Sequence, residues 1–103
     1  MPEYQETILS EIIEEVTDIK TFRFQTKEKF NFVAGQFVML RFPQESGFYD
    51  IGPRAYSISS APNNNNYFEL TIQKVGQFTT KLFETKLNQK FLFTGPHGKF
   101  NIP

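Results

Sequence analysis

Hydrophobic and polar positions alternate with a period of two over much of this chain. In residues 19–26 (IKTFRFQT), Phe22 and Phe24 fall on one side while Arg23 and Gln25 fall on the other. In residues 67–74 (YFELTIQK), Phe68, Leu70 and Ile72 oppose Glu69, Thr71 and Gln73. Both runs read as half-buried strands. Residues 36–43 (QFVMLRFP) form a β-rich run closed by proline, and residues 90–94 (KFLFT) a last short strand before a Gly-Pro-His-Gly turn at 95–98. Residues 54–60 (RAYSISS) alternate like a strand after a Gly-Pro turn. Residues 4–16 suit two patterns. The pairs Ile8-Leu9 and Ile12-Ile13 fit a strand that bends and switches faces, which is preferred, and their four-residue spacing also fits a helix.

Punctuation separates these runs. Thr17-Asp18 predicts a tight turn, residues 27–35 a loop ending at Gly35, and residues 44–53 an exposed excursion with two glycines and a proline. Asn63 to Asn66 predict a solvent-exposed hairpin connection, because asparagine tolerates left-handed backbone. Beyond Gly76 the period changes. Phe78, Leu82, Phe83 and Leu87 share one helical face over residues 78–87. About six short strands with one helix between the fifth and sixth indicate an all-β domain. A small antiparallel barrel plugged by the helix is expected, since closure removes exposed edges.

Composition narrows this little further. The 103 residues allow one modest core, with 39 % hydrophobic and 17 % aromatic residues, including thirteen phenylalanines expected in that core. Eleven basic residues balance eleven acidic ones, which argues against a nucleic-acid or membrane surface as partner. No cysteine is present, so disulfides, thiolate clusters and thiol nucleophiles are excluded within the chain. The polar, acidic start is unlike a signal peptide and no apolar run approaches membrane-spanning length, so the expected location is cytoplasmic.

Two stretches carry candidate chemistry. Arg54-Ala55-Tyr56-Ser57 sets a planar fork of donors suited to phosphate, a flat phenol for stacking and a hydroxyl within four residues. Such a set suits a ligand that is part aromatic and part phosphate, although ordinary half-buried strands also hold these residues together. At Gly76-Gln77-Phe78-Thr79, a glycine precedes a helix start whose first amides lack internal partners. Those amides and the helix dipole favour an anion, with the Thr79 hydroxyl as a further donor. The plainer reading makes Thr79 an N-cap and Gly76 a turn residue. His97 has no acid or nucleophile nearby in sequence, and Glu11, Glu14, Glu15 and Asp18 read as a charged solvent face.

RAYS, then GxxTxxL, then GPxG, in that order, resembles the flavin-binding domain of the ferredoxin–NADP reductase family. Ala34-Gly35-Gln36-Phe37-Val38 is similar to the family's PGQFV run, with Ala34 where proline is common. Leu70-Thr71-Ile72-Gln73 resembles the strand whose backbone lines the flavin, and Thr94 to Lys99 the turn that ends the barrel. The resemblance implies a six-stranded antiparallel Greek-key barrel with one capping α-helix. It also implies that Arg54 binds flavin phosphate, that Tyr56 stacks on the isoalloxazine and that Ser57 lies near its N5 edge. Thr71, Ile72 and Gln73 would contact the flavin through backbone. Gly76, Gln77, Phe78 and Thr79 would serve the pyrophosphate. With Ala55, these are the candidate cofactor-binding residues; no catalytic residue or metal ligand is assigned. Strict alternation sends Arg54 and Tyr56 to one face and Ser57 to the other. A flavin would touch all three only along a strand edge or a twist.

In that family a Rossmann-like domain follows the GPxG turn and binds the nicotinamide nucleotide. Here the sequence ends at Pro103 and holds no glycine-rich nucleotide fingerprint. The expectation is an FAD module, rather than an FMN one, of an NAD(P)H-dependent electron-transfer reductase. As one domain of a longer reductase, or beside an NAD(P)-binding partner chain, it would pass electrons to a ferredoxin, flavodoxin or oxygenase component. Alone it would lack efficient NAD(P)H oxidation. The alternative is a flavin-free barrel acting as a protein-interaction module.

Overall fold

A computed structural model describes residues 3–62 and 65–98. Six strands, β1 (Gln5–Val16), β2 (Ile19–Thr26), β3 (Phe37–Arg41), β4 (Arg54–Ser57), β5 (Tyr67–Gln73) and β6 (Lys90–His97), flank one helix, α1 (Gly76–Phe83). They form one antiparallel sheet in the order β4-β3-β6-β1-β2-β5. This out-of-sequence order is the all-β Greek-key arrangement expected, with α1 packed into the core through Phe78 and Leu82.

The long first segment is a strand, as preferred. It bends at register shifts between Leu9 and Glu11 and between Glu14 and Val16. Thr7 and Leu9 face the core, and the exposed second half continues only as the partner of β2. The turn to β2 uses Asp18 at φ 63°, a left-handed position that aspartate accepts.

The ladder does not close into a full barrel. β4 pairs only with β3, and β5 only with β2. The segment expected as a strand to residue 60 leaves the ladder after Ser57: Ile58 N donates to Gln36 O (3.0 Å), then Ser59 N donates to Glu69 O (2.8 Å). Ser60 Oγ accepts from Glu69 N at 3.0 Å. Those bonds stitch one end of the β4–β5 seam. β4 and β5 are therefore not paired as a simple hairpin. Asn63 and Asn64 lie outside the described residues, while Asn66 O and Asn65 O accept from Thr26 N (2.8 Å) and Phe30 N (3.1 Å), docking the loop on the end of β2.

Two further elements differ from expectation. The helix stops at Phe83, and Leu87 is 51 % exposed beyond it. Its last amides turn to i−3 acceptors, Thr85 Oγ1 donates to Leu82 O (2.6 Å), and Asn88 takes φ 74°. That chemistry ends the helix before its apolar period does. β6 in turn runs through the expected turn to His97. Pairing with β3 jumps from Met39–Thr94 to Phe37–His97, so Gly95 and Pro96 form a bulge that asks no ladder bond of the proline. Gly95, at φ 134°, has no room for a side chain: a Cβ would meet Phe37 O at 3.1 Å and Val38 Cγ1 at 3.2 Å.

The core is largely aromatic. Phe22, Phe24, Phe68, Phe91 and Phe93 are fully buried, and Phe24 meets Phe68 at 5.5 Å and Phe91 edge-on at 5.4 Å. Phe37 and Phe83 are only half-buried and Phe48 lies at the surface, so not every phenylalanine is core. The acidic residues of β1 and its turn do form a solvent face, paired across strands: Glu11 with Arg23 (3.5 Å), Glu14 with Lys20 (3.8 Å) and Asp18 with Lys74 (3.8 Å). Replacing Phe24 by Ala should destabilise the fold by about 3–5 kcal/mol. Urea denaturation checks this, and a loss below about 1 kcal/mol would contradict the packing described.

Candidate functional site

Arg54 opens β4 behind a turn that is held from two sides. The Arg41 guanidinium lies 3.5 Å from the centre of the Tyr49 ring, and its Nε donates to Tyr49 O (3.0 Å), pinning the excursion of residues 44–53 to β3. At Arg54 itself, Nη1 donates to Ile51 O (3.2 Å) and Pro53 O (3.1 Å). Its guanidinium carbon sits 5.4 Å from the centre of the Phe78 ring. Tyr56 stands opposite Val38 in the β3–β4 register and is half-buried, its ring 6.0 Å from that of Phe78 at 40°. Burial pushes the Tyr56 phenol up, partly offset by the Arg54 charge, so the ring is a neutral platform at physiological pH.

The helix start faces the same space. Gly76 takes φ 81°, a left-handed position that glycine adopts without strain. Thr79, 4 % exposed, turns its hydroxyl back on the preceding turn: Oγ1 accepts from Val75 N (2.6 Å) and donates to Val75 O (2.6 Å). Neither an N-cap nor a free donor describes it, since its single proton already has an internal acceptor. Thr80 Oγ1 donates to Gly76 O (2.7 Å). With Val75 N satisfied, the amides of Gly76, Gln77 and Phe78 remain as first-turn donors with no intrahelical acceptor.

β5 supplies the third wall. In an antiparallel ladder successive residues aim their backbone groups to opposite sides. Glu69 aims at the seam, toward Ser59 and Ser60, whereas Lys74 N aims the other way, to Asp18 O (2.8 Å). Thr71 and Gln73 keep step with Glu69, so their backbone groups face the seam, and those of Ile72 face β2. The Thr71 hydroxyl also bonds Ser59 Oγ (3.0 Å) and Thr21 Oγ1 (2.8 Å).

These walls enclose a hollow of about 440 Å³ at the unstitched end of the seam. Of the candidate residues, Arg54, Tyr56, Thr71, Ile72, Gln73, Gly76, Gln77, Phe78 and Thr79 line it. Ala55 and Ser57 do not, because β4 points them to its other face, as alternation required. Val75 also lines the hollow and was not singled out from sequence. An exposed valine just before a helix-opening glycine was the signal available. A cation and a helix N-terminus at one end, with an aromatic face beside them, form a site for an anion carrying a planar ring. His97 is not part of it. Its Nε2 lies 2.8 Å from Thr94 Oγ1 and its ring 5.3 Å from Phe37. Among the described residues no cluster of three potential metal ligands occurs. Among the described residues no helix is long and apolar enough to cross a membrane.

Comparison with known proteins places the chain in a family. Residues 6–102 match the family model described as an oxidoreductase FAD-binding domain. The chain is 30 % identical over 95 residues to a probable dihydroorotate dehydrogenase B (NAD(+)) electron transfer subunit of Thermococcus kodakarensis, covering 92 % of this chain and 35 % of that protein. It is 38 % identical over 80 residues to the sulfhydrogenase 1 gamma subunit of Pyrococcus furiosus, covering 75 % and 25 %. Against the phenol hydroxylase P5 protein of Acinetobacter pittii it is 35 % identical over 103 residues, covering 97 % and 28 %. The chain thus spans between 25 % and 35 % of the length of these relatives. Among solved structures, the ferredoxin reductase in carbazole 1,9a-dioxygenase superposes with a TM-score of 0.82 at 28 % identity, covering 94 % of this chain and 29 % of that one. With the family model spanning residues 6–102, the chain belongs to the oxidoreductase FAD-binding domain family.

Proposed function

We propose that this chain holds FAD in the hollow between β4, β5 and the start of α1, as the flavin module of an NAD(P)H-dependent electron-transfer reductase. The observation that carries the reading is the meeting of Arg54 with the free first-turn amides of α1 beside the half-buried Tyr56 ring. Arg54 and the amides of Gly76, Gln77 and Phe78 take the pyrophosphate, and Tyr56 supports the isoalloxazine. The seam-facing backbone of Thr71 and Gln73 meets its polar edge, with the Ile72 side chain filling the wall behind. Ser57, on the opposite face of β4, reaches the ring only where a flavin wraps the strand edge. Bound FAD supplies a ring that accepts a hydride and releases electrons singly.

The relatives' extra length supports a working unit larger than this chain. An NAD(P)-binding domain, in cis or on another chain, would deliver the hydride, since donor and ring must be held in contact. The acceptor is a one-electron carrier of the ferredoxin, flavodoxin or oxygenase-component kind; similarity to a phenol hydroxylase component and to the ferredoxin reductase in carbazole 1,9a-dioxygenase supports the ferredoxin and oxygenase readings.

Visible absorption and flavin fluorescence titrations test the reading. FAD should bind and FMN should bind more weakly, because FMN lacks the second phosphate. Equal affinities would sink the pyrophosphate assignment. Arg54→Ala should weaken FAD by about ten- to hundredfold, the scale of hydrogen bonds from a charged group. Unchanged affinity would remove Arg54 from the site.

Thr79 acts through Val75 rather than on phosphate. Thr79→Val should cost about 1 kcal/mol of stability by orphaning Val75 N, and weaken FAD in parallel, while Thr79→Ser restores both. A loss of FAD affinity with unchanged stability would instead give the hydroxyl a direct phosphate contact.

A further inference from the structure

Phe78 couples the barrel core to the hollow. Its ring is 3 % exposed and packs 4.9 Å from Phe42, which lies 5.2 Å from Phe91. The Arg54 guanidinium lies 5.4 Å and the Tyr56 ring 6.0 Å from the same ring. Its own amide belongs to the first turn of α1.

We propose that Phe78 is a positioning residue of the FAD site, its ring presenting Arg54 to the phosphate and seating Tyr56, beyond the amide it contributes. The proposal rests on the FAD reading above. Arg54 is exposed, and among the described residues its internal bonds run from Nη1 to the carbonyls of Ile51 and Pro53. A cation within about 6 Å of a ring centre is drawn to the ring face. Held there, the guanidinium presents Nε and Nη2, which bond to no other described residue, in the plane where phosphate oxygens pair with it. Ordering this side chain before the ligand arrives removes an entropic cost that binding would otherwise carry. The Tyr56–Phe78 contact is tilted by 40° and is not a parallel stack, so Phe78 props that ring without covering it. Because ring and amide belong to one residue, the Phe42 contact also fixes the spacing between the cation and the helix start.

The competing account makes Phe78 a core filler whose ring could be any apolar group of similar size. A double-mutant cycle with Phe78→Leu and Arg54→Ala separates the two, read by FAD fluorescence titration with thermal unfolding alongside. General loosening of the barrel weakens FAD equally in both backgrounds, and only coupling differs between them. The ring should favour FAD by about two- to fivefold more with Arg54 present than with Arg54→Ala, the scale of a surface cation–π contact. Phe78→Met, which fills the core with a flexible chain and no ring, should give the same difference should the leucine variant fold poorly. Equal losses in both backgrounds would overturn the positioning role and leave the FAD site intact. Failure of the unaltered chain to bind FAD would overturn the FAD reading first, and this proposal with it.

Discussion

A sheet edge exposes a row of backbone donors and acceptors that need partners, and this barrel leaves two such edges facing each other. β4 and β5 share no ladder, yet Ser59 and Ser60 tie the chain after β4 to Glu69. The stitch holds both edges in place while the rest of the seam stays open. Past it, the backbone of Thr71 and Gln73 faces a gap beside the start of α1. Complete closure would have satisfied those groups within the sheet and left no hollow. An open seam with no stitch would have let β4, only four residues long, drift from β5.

The rigidity that such a site needs comes from the aromatic interior. Phe24, Phe68, Phe91 and Phe93 fill the middle of the barrel, and Phe42 passes that packing outward to Phe78. A second brace is Arg41 on Tyr49, which holds the excursion that delivers Arg54. Electrostatics are local in the same way. The chain has no net charge, but Arg54 and a helix N-terminus share one end of the hollow. The cation and the helix start act through placement over a few ångströms, where screening is weak, and not through the summed charge.

How much was legible from sequence depended on the range of the physics involved. Alternation in residues 19–26 and 67–74 placed β2 and β5, because burying one face of a strand leaves a period-two record. Alternation also separated Arg54 and Tyr56 from Ser57, which the hollow confirms. The end of the helix was misread at Leu87, since the apolar period ran on past the hydrogen bonds of Thr85 and the left-handed Asn88 that stop the helix. β6 ran longer than expected because a bulge against β3 absorbs Gly95 and Pro96, and a bulge depends on the partner strand.

The amino-acid sequence by itself determined the strands, the glycine-led helix start, the aromatic core and the family to which the ordered motifs belong. All of these follow from local periodicity, turn chemistry and residue type. Tertiary structure alone decided that β4 and β5 stay unpaired beyond Ser59, that the Thr79 hydroxyl turns to Val75, and that Phe78 lies between Phe42, Arg54 and Tyr56. Each of those is a choice between partners distant along the chain or between two orientations of one side chain. Such choices are settled by which groups packing leaves within hydrogen-bonding or van der Waals reach, and a linear pattern carries no record of that.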